Sequence, residues 1–401
     1  MSALYYFDDV RARHFEPFAL TRPGSELRAG TSLIRKRWER ATGLKSAGFI
    51  SSPHLAYFEE GSAPPSLSPK LEIPAGSILV NTRCVIPMDL ELKAFDLLMC
   101  EGVACAVKLA RAFPVSQFAD GLIDIGSIQT TLGGQRIKGR WMNDVWDFIS
   151  TLPEQLTEDI PLRAKALGAT AKTKAPKLGE YGVFVEEGAQ IAPQVVLDAT
   201  AGPILIRTGA VIAPFTHLVG PVSVGRDSQI LGDRVAASSI GNHCKVQGEL
   251  SHSIFLGHGN KTHTGFVGHS YLGRWVNLGA LTTTSNMKNT YGPVQLWTPS
   301  GLRDTGQQFL GTFFGDHAKT GIGTMLTTGC VIGAGANVFG GKMPPKVVPP
   351  FAWGDGEPYE IFDLVKFLAV AERAMARRQV PLGEKARKQL GDAHRKRWSA
   401  S

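Results

Sequence analysis

The stretch VIAPFTHLVGPVSVGRDSQI, residues 211–230, decides how the second half of the chain folds. Ile212, Leu218, Val224 and Ile230 recur in it every sixth residue, and Ile206 extends the series one step earlier. Ile191 and Leu197 precede it after a slip of register, while Leu272 and Leu278, then Leu326, Ile332 and Val338, resume the spacing. Gly, Ala, Ser, Thr and polar residues fill the gaps. A coiled coil steps by seven, and an amphipathic helix by three and four. A step of six with small residues between is the pattern of a parallel β-helix, in which each hexad supplies one short strand and one tight corner. Three hexads close a triangular coil of ~18 residues, and coils stack ~4.8 Å apart by strand pairing. The aliphatic side chain points inward, and small residues suit the crowded corners. On this count residues 183–340 hold roughly seven coils. The period lapses from Thr283 to Phe309, an excursion that reads as a functional arm because it directly follows the densest polar cluster in the chain.

Outside this region the pattern is mixed. Gly30 to Arg40 predicts a helix with a basic face of Arg35, Lys36, Arg37 and Arg40. Ser77 to Val80 predicts a short strand, Leu97 to Val107 a buried strand or helix, and Asn143 to Leu152 a helix. Alternation of this kind implies an α/β layer over residues 1–162. The small, basic, Pro-punctuated stretch from Arg163 reads as a linker, 163–181. The β-helix takes 182–343 with its inserted arm at 283–309. The C-terminal extension, 344–401, predicts two helices, Tyr359 to Arg378 and Leu382 to Trp398. The second is strongly basic, which fits a solvated face or a cap over the open solenoid end.

The 401 residues include 45 glycines and only 19% charged residues, a balance that suits a turn-rich β protein. A net charge of +8 favours anionic partners in general without choosing among them. Cys84, Cys100, Cys105, Cys244 and Cys330 form no CxxC pair, so buried free thiols in a reducing cytoplasm are expected. The N-terminus lacks the apolar run of a signal peptide, and no stretch approaches ~18 uninterrupted apolar residues. The reading is a cytoplasmic protein without a membrane span.

Reactive side chains concentrate between Glu249 and Asn289, which hold His252, His258, His263 and His269. Zinc binding is the first alternative, but no HExxH spacing exists and no cysteine lies in this segment. A general base is the better fit. Acyl transfer to an amine or hydroxyl needs a proton removed near neutral pH, which an imidazole does. Backbone N–H groups in the Gly279-Ala280 turn are the simplest oxyanion donors.

The segment Lys261-Thr262-His263-Thr264-Gly265-Phe266-Val267-Gly268, with Leu272-Gly273, Asn277-Leu278-Gly279-Ala280 and Ser285-Asn286, resembles the acetyltransferase half of the bifunctional glucosamine-1-phosphate acetyltransferase / N-acetylglucosamine-1-phosphate uridylyltransferase. The resemblance implies a left-handed β-helix that trimerises, with acyl transfer from acetyl-CoA or another acyl-CoA to an amino sugar or sugar phosphate. It implies His263 as the base and Asn286 at the acyl site. Lys261, Phe266, Asn277 and Lys288 would meet the substrate, and Gly279, Ala280 and Thr282 the cofactor. Phe266 stands where the family has a sugar-phosphate-binding Tyr, Leu281 replaces the second Gly of G-A-G, and Ser251 stands where a Lys is expected. Those departures point to a changed acceptor.

Over nearly the whole chain, Phe7-Asp8-Asp9, Leu20-Thr21-Arg22-Pro23, Asn81-Thr82-Arg83, Trp146-Asp147, Gly315-Asp316-His317 and Phe351-Ala352-Trp353-Gly354 resemble a divergent bacterial family of sugar nucleotidyltransferases. That implies an N-terminal nucleotidyltransferase-like α/β domain, with nucleotide contacts at Thr21, Arg22, Arg28, Asn81 and Arg83. It also implies Mg²⁺ with UTP or dTTP, although Asp8, Asp9, Asp89 and Asp124 offer no spacing that selects a metal ligand. No G-x-G-[TS]-R loop is present; Thr21 to Arg28 is the nearest analogue. The partner expected is a small sugar phosphate or nucleotide sugar rather than nucleic acid. Nucleotidyl transfer alone, with the β-helix as trimeriser, is the competing reading.

Overall fold

The computed structural model describes residues 2–128, 134–170 and 173–398. The chain divides into two compact units, Met1–Asp147 with Leu382–Lys396, and Phe148–Pro381 with Arg397–Ser401.

The first unit is built on a six-stranded mixed sheet in the order Gln135–Ile137, Leu97–Cys100, Val103–Lys108, Ile78–Asn81, Leu4–Phe7, Ser46–Ile50. Leu4–Phe7 runs parallel to both of its neighbours, whereas Val103–Lys108 is antiparallel to both of its own. Every residue of Ile78–Asn81 is buried, as expected of a central strand covered on both faces. The apolar run 97–107 resolves into a hairpin, reversing at Glu101 and Gly102, both at positive φ. The helix expected from Gly30 starts later, at Ile34–Thr42, because Arg28–Ala29 and Ser32–Leu33 pair as a tiny hairpin around Gly30. Lys36 and Arg40 stay exposed, but Arg35 and Arg37 are buried and leave the expected basic face incomplete. Arg35 binds Glu26 at 2.5 Å and Glu39 at 3.0 Å, and Arg37 donates to the carbonyls of Ile86 and Ala29. The C-terminal helix Glu384–Lys396 belongs to this unit: Lys388 Nζ lies 3.7 Å over the Tyr57 ring, and Gln389 donates to the Thr21 carbonyl.

The second unit opens with the helix Leu152–Leu167, so the expected boundary at 162 and the start of the expected linker fall inside a helix. Leu152, Leu156, Ile160 and Ala164 form its buried stripe, packed against the first strands of a solenoid. Gly168, left-handed at φ 65°, ends it.

The solenoid has three parallel faces. The first runs from Val183–Val185 to Val347–Val348 in nine strands. The second runs from Gln190–Ile191 to Ala352–Gly354 and is closed by the antiparallel Glu360–Ile361. The third runs from Lys177–Leu178 to Phe266–Gly268, six strands, and beyond it Thr283–Thr284 pairs with Met325–Leu326. Ile206, Val224, Ile240, Phe255, Leu272, Phe314, Ile332 and Val348 stack inward along the first face. The coils outnumber the roughly seven expected from 18-residue turns, since Ile240 pairs with Phe255 and Phe255 with Leu272, steps of 15 and 17 residues.

The excursion after Thr284 is an arm carrying the hairpin Gln295–Thr298 and Gly301–Asp304, anchored by buried Val294 and Leu296 and by a bridge from Met287 to Phe309. The helix Leu364–Ala376, capped by Asp363 on the Lys366 N–H, sets Phe367 against Phe351, Phe362 and His317. Glu360–Ile361, expected to be helical, is a strand instead. No described helix is long and apolar enough to cross a membrane. All five cysteines are buried and free.

Candidate functional site at the solenoid corners

The period of the solenoid distributes the four histidines over three different corners. His252 and His269 follow consecutive strands of the third face and stack at 4.5 Å. His258 lies on another corner, in a column His243, His258, Trp275, His317, each at positive φ. His263 stands on the third corner, between Asn260–Lys261 and Phe266–Gly268. Among the described residues no three His, Cys, Asp or Glu side chains cluster as metal ligands.

The His263 ring is exposed, and no described residue engages it. It lines a cavity of about 400 Å³ with Lys245, Asn260, Thr262, Arg377 and Arg378. The corner 262–265 lies directly on the corner 279–282, because the Leu281 N–H donates to the Thr264 carbonyl at 2.9 Å. Gly279 commits its N–H to Thr320, whereas nothing among the described residues accepts from the Ala280 N–H. An unengaged imidazole and an unengaged backbone donor therefore share this corner.

The other expected residues fall elsewhere. Lys261 is 1% exposed, and its ammonium is enclosed by the carbonyls of Gln247, His263 and Thr264. Burial lowers its pKa to about 8. Lys261 thus braces the corner. Thr282 also points inward, its hydroxyl 2.8 Å from that of Thr320. Asn277 accepts from the Asn260 amide at 2.8 Å and borders the cavity next to that of His263. The Phe266 ring folds over Gly268. Lys288 lies on the arm, near enough to Lys346 to help lower that pKa after burial itself.

Asn286 does not meet His263. It follows Thr283–Thr284 at the opposite end of the third face, and its amide contacts His269 Nδ1 at 2.9 Å. Burial, reinforced by His252, pushes the His269 pKa down to about 4. Ser251 lies 2.7 Å from His252 Nδ1, and Phe309 of the arm stacks on His269 at 5.4 Å. Two polar constellations therefore occupy two corners. Spacing along the sequence could not separate them, since His263 and His269 flank the same three-residue strand.

In the first unit, Asp8 and Asp9 follow Leu4–Phe7 at the carboxyl edge of the parallel strands, where α/β sheets bind ligands. Asp8 accepts from the Gly24 N–H, Ser51 and Thr82; burial raises its pKa and these bonds oppose the rise. Asp9 accepts from Arg83 and Asn81; burial opposes them, yet its pKa falls. Thr21, Arg22, Arg28, Asn81 and Arg83 are all buried. Arg22 is paired with Glu60, and Arg28 with the Thr31 carbonyl. Asp8 is enclosed by three donors and Asp9 is tied to Arg83, so a Mg²⁺ ion bound by these carboxylates would have to displace those contacts. Missed by sequence reasoning were Arg377 and Arg378 beside His263; their signal was the basic C-terminus of a helix whose position only the fold reveals.

Residues 4–166 match the family model described as sugar nucleotidyl transferase. The chain is 28% identical over 159 residues to a bifunctional sugar-1-phosphate nucleotidylyltransferase/acetyltransferase of Sulfurisphaera tokodaii, covering 40% of this chain and 38% of that protein. Over 178 residues it is 29% identical to the bifunctional protein GlmU of Bartonella quintana, covering 42% and 34%. It is 27% identical over 151 residues to an uncharacterized acetyltransferase, YaiX, of Escherichia coli, covering 37% and 66%. These matches thus span between about a third and two-thirds of the relatives' own length. Among solved structures, a hexapeptide transferase family protein from Anaplasma phagocytophilum aligns with 53% of this chain and 96% of its own, at 12% identity and a TM-score of 0.25. Residues 4–166 are thus similar to the sugar nucleotidyl transferase family, and at 28–29% identity the chain is similar to a bifunctional sugar-1-phosphate nucleotidylyltransferase/acetyltransferase and to a bifunctional GlmU.

Proposed function

We propose that this chain is a sugar-directed transferase whose solenoid moves an acyl group from acyl-CoA, acetyl-CoA in the first instance, to an amino sugar, a sugar phosphate or a nucleotide sugar. The observation that carries this reading is the His263 corner: an exposed, unengaged imidazole with the free Ala280 N–H one coil away. His263 takes a proton from the acceptor amine or hydroxyl as the new bond to the acyl carbon forms. The Ala280 N–H meets the oxyanion. The C–S bond then breaks, and the imidazolium returns its proton to the departing thiolate.

A basic cavity of about 400 Å³ beside His263 fits the phosphates that acyl-CoA and sugar phosphates share. The first unit, by its family match, would bind the nucleotide part of a nucleotide sugar. UTP or dTTP with Mg²⁺ would there require Arg83 to leave Asp9. Two relatives are described as bifunctional sugar-1-phosphate nucleotidylyltransferase/acetyltransferase and as GlmU, which favours a transferase over a passive scaffold. A homotrimer in the cytoplasm completes the proposal, in keeping with free buried thiols.

The test is release of free CoA thiol from acetyl-CoA, with amino-sugar phosphates and nucleotide amino sugars as acceptors. Acceptor-dependent thiol release by the full chain supports the reading. Its absence across acetyl-, propionyl- and butyryl-CoA would refute it.

A further inference from the structure

The His263 cavity adjoins a second one, of about 320 Å³, and the two share Asn260, Arg377 and Arg378. The second is bounded on one side by the helix Leu364–Ala376 with Arg373, and on the other by Trp275 and Lys319 of the solenoid. Together the cavities bring Lys245, Lys319, Arg373, Arg377 and Arg378 to one continuous cleft, and neither is lined by Asp or Glu. None of these five cations has a carboxylate partner among the described residues.

Such an arrangement opposes folding by itself. Like charges repel, and burial withholds water from Lys319 and Arg378, while Arg373 and Arg377 stay exposed at the rim. Burial lowers the pKa of Lys319 to about 8; it lowers that of Arg378 as well, reinforced by neighbouring Arg377. Other enclosed arginines have partners, either acids, as for Arg83 with Asp9 and Arg207 with Glu186, or carbonyls, as for Arg37. A cluster left without counter-charge is offset once a polyanion enters. One phosphate monoester carries too little charge and length to answer five cations spread over two adjoining cavities. The walls are not uniformly polar either: Val276, Val370 and Ala374 line the second cavity, and Trp275 stacks on His258 at 4.1 Å along its edge. An apolar, aromatic wall beside arginines suits a base or ribose next to a diphosphate.

We infer that this cleft binds the diphosphate of a nucleotide, with Arg373, Arg377, Arg378 and Lys319 as its ligands. The helix Leu364–Ala376 is thereby a binding element, and the diphosphate lies beside His263. The inference deepens the acyl-transfer reading, because both coenzyme A and a nucleotide sugar present this group. It does not depend on turnover.

Binding of coenzyme A, UDP, dTDP and inorganic pyrophosphate to the full chain is measured by isothermal titration calorimetry at two salt concentrations. At least one nucleotide is expected to bind, more weakly at high salt. The triple variant Arg373→Gln/Arg377→Gln/Arg378→Gln is expected to weaken it by at least about tenfold per side chain removed. Lys319→Met, a single change that leaves the helix intact, should weaken it on the order of tenfold. A response to coenzyme A alone, or to the uridine or thymidine diphosphates alone, identifies the source of the diphosphate. Equal affinity in wild type, triple variant and Lys319→Met would overturn the inference, as would failure of every nucleotide to bind the wild type. Loss of thiol release with binding retained would count against the acyl-transfer reading only.

Discussion

Asn286 meets His269 Nδ1 across 2.9 Å, at the end of the third face away from His263. An amide NH₂ can only donate, so Nδ1 accepts and the proton of the neutral ring sits on Nε2. The folded ring holds its neutral form down to about pH 4, whereas the unfolded residue protonates near 6.5. Between those values the unfolded chain binds more protons, so stability is complete above pH 6.5 and declines as pH falls through that window. Imidazole ¹⁵N shifts of His269 should stay flat from pH 8 to 5. In Asn286→Asp a carboxylate replaces the donor, and the midpoint should rise by more than about one unit. A wild-type midpoint near 6.5 would contradict the assignment.

The stability of the solenoid should reside in its inward stack. Leu272 is fully buried between Phe255 and Phe314 of adjacent coils. Leu272→Ala is expected to destabilise the second unit by about 2–5 kcal/mol, from lost transfer free energy and the cavity left behind. Chemical denaturation followed by circular dichroism gives the value.

The corner turns predict opposite responses two residues apart. A Cβ on Gly279 would stand 2.5 Å from the Gly321 carbonyl oxygen, which is backbone of the next coil and cannot step aside. Gly279→Ala should cost about 1–3 kcal/mol. Leu281 sits at φ 63° with its side chain 55% exposed. Leu281→Gly relieves the left-handed strain and should leave stability within about 1 kcal/mol of wild type. Melting temperatures of the two variants test the contrast.

In the first unit, Arg83 is held by Asp9 at 2.8 Å and lies over Trp141 at 4.8 Å, largely out of solvent. Asp9→Ala leaves that guanidinium unpaired and should destabilise the unit by on the order of 3 kcal/mol. Arg83→Met, which removes the charge and keeps the packing, should cost less. Equal losses would show that the pair contributes through shape rather than charge.

The solenoid was legible because its signal is periodic. Each hexad repeats the same inward position, so Ile206 to Ile230 alone fixes the architecture. The corner columns were encoded as well, in the steps of 15 and 17 residues from His243 to His258 to Trp275, but a period of six does not reveal them. The basic face expected of residues 30–40 is incomplete for a physical reason: Glu26, Glu39 and two carbonyls, distant or local, were available to bury Arg35 and Arg37. Partners supplied by the fold also decide Lys261, whose side chain closes on three carbonyls of its own corner and the coil before it. Arg373, Arg377 and Arg378 escaped notice because nothing in the sequence says which surface the helix covers.

In the proposed mechanism His263, and no other histidine of the solenoid, removes the acceptor's proton. The most direct measurement is the rate of thiol release from acetyl-CoA at saturating acceptor for wild type, His263→Ala and His269→Ala. Removing a general base should lower the rate of His263→Ala by about 10²–10⁴-fold. The exposed side chain makes no contact whose loss would change the melting temperature. A folded His263→Ala protein that turns over at the wild-type rate, or a loss confined to His269→Ala, would contradict the account.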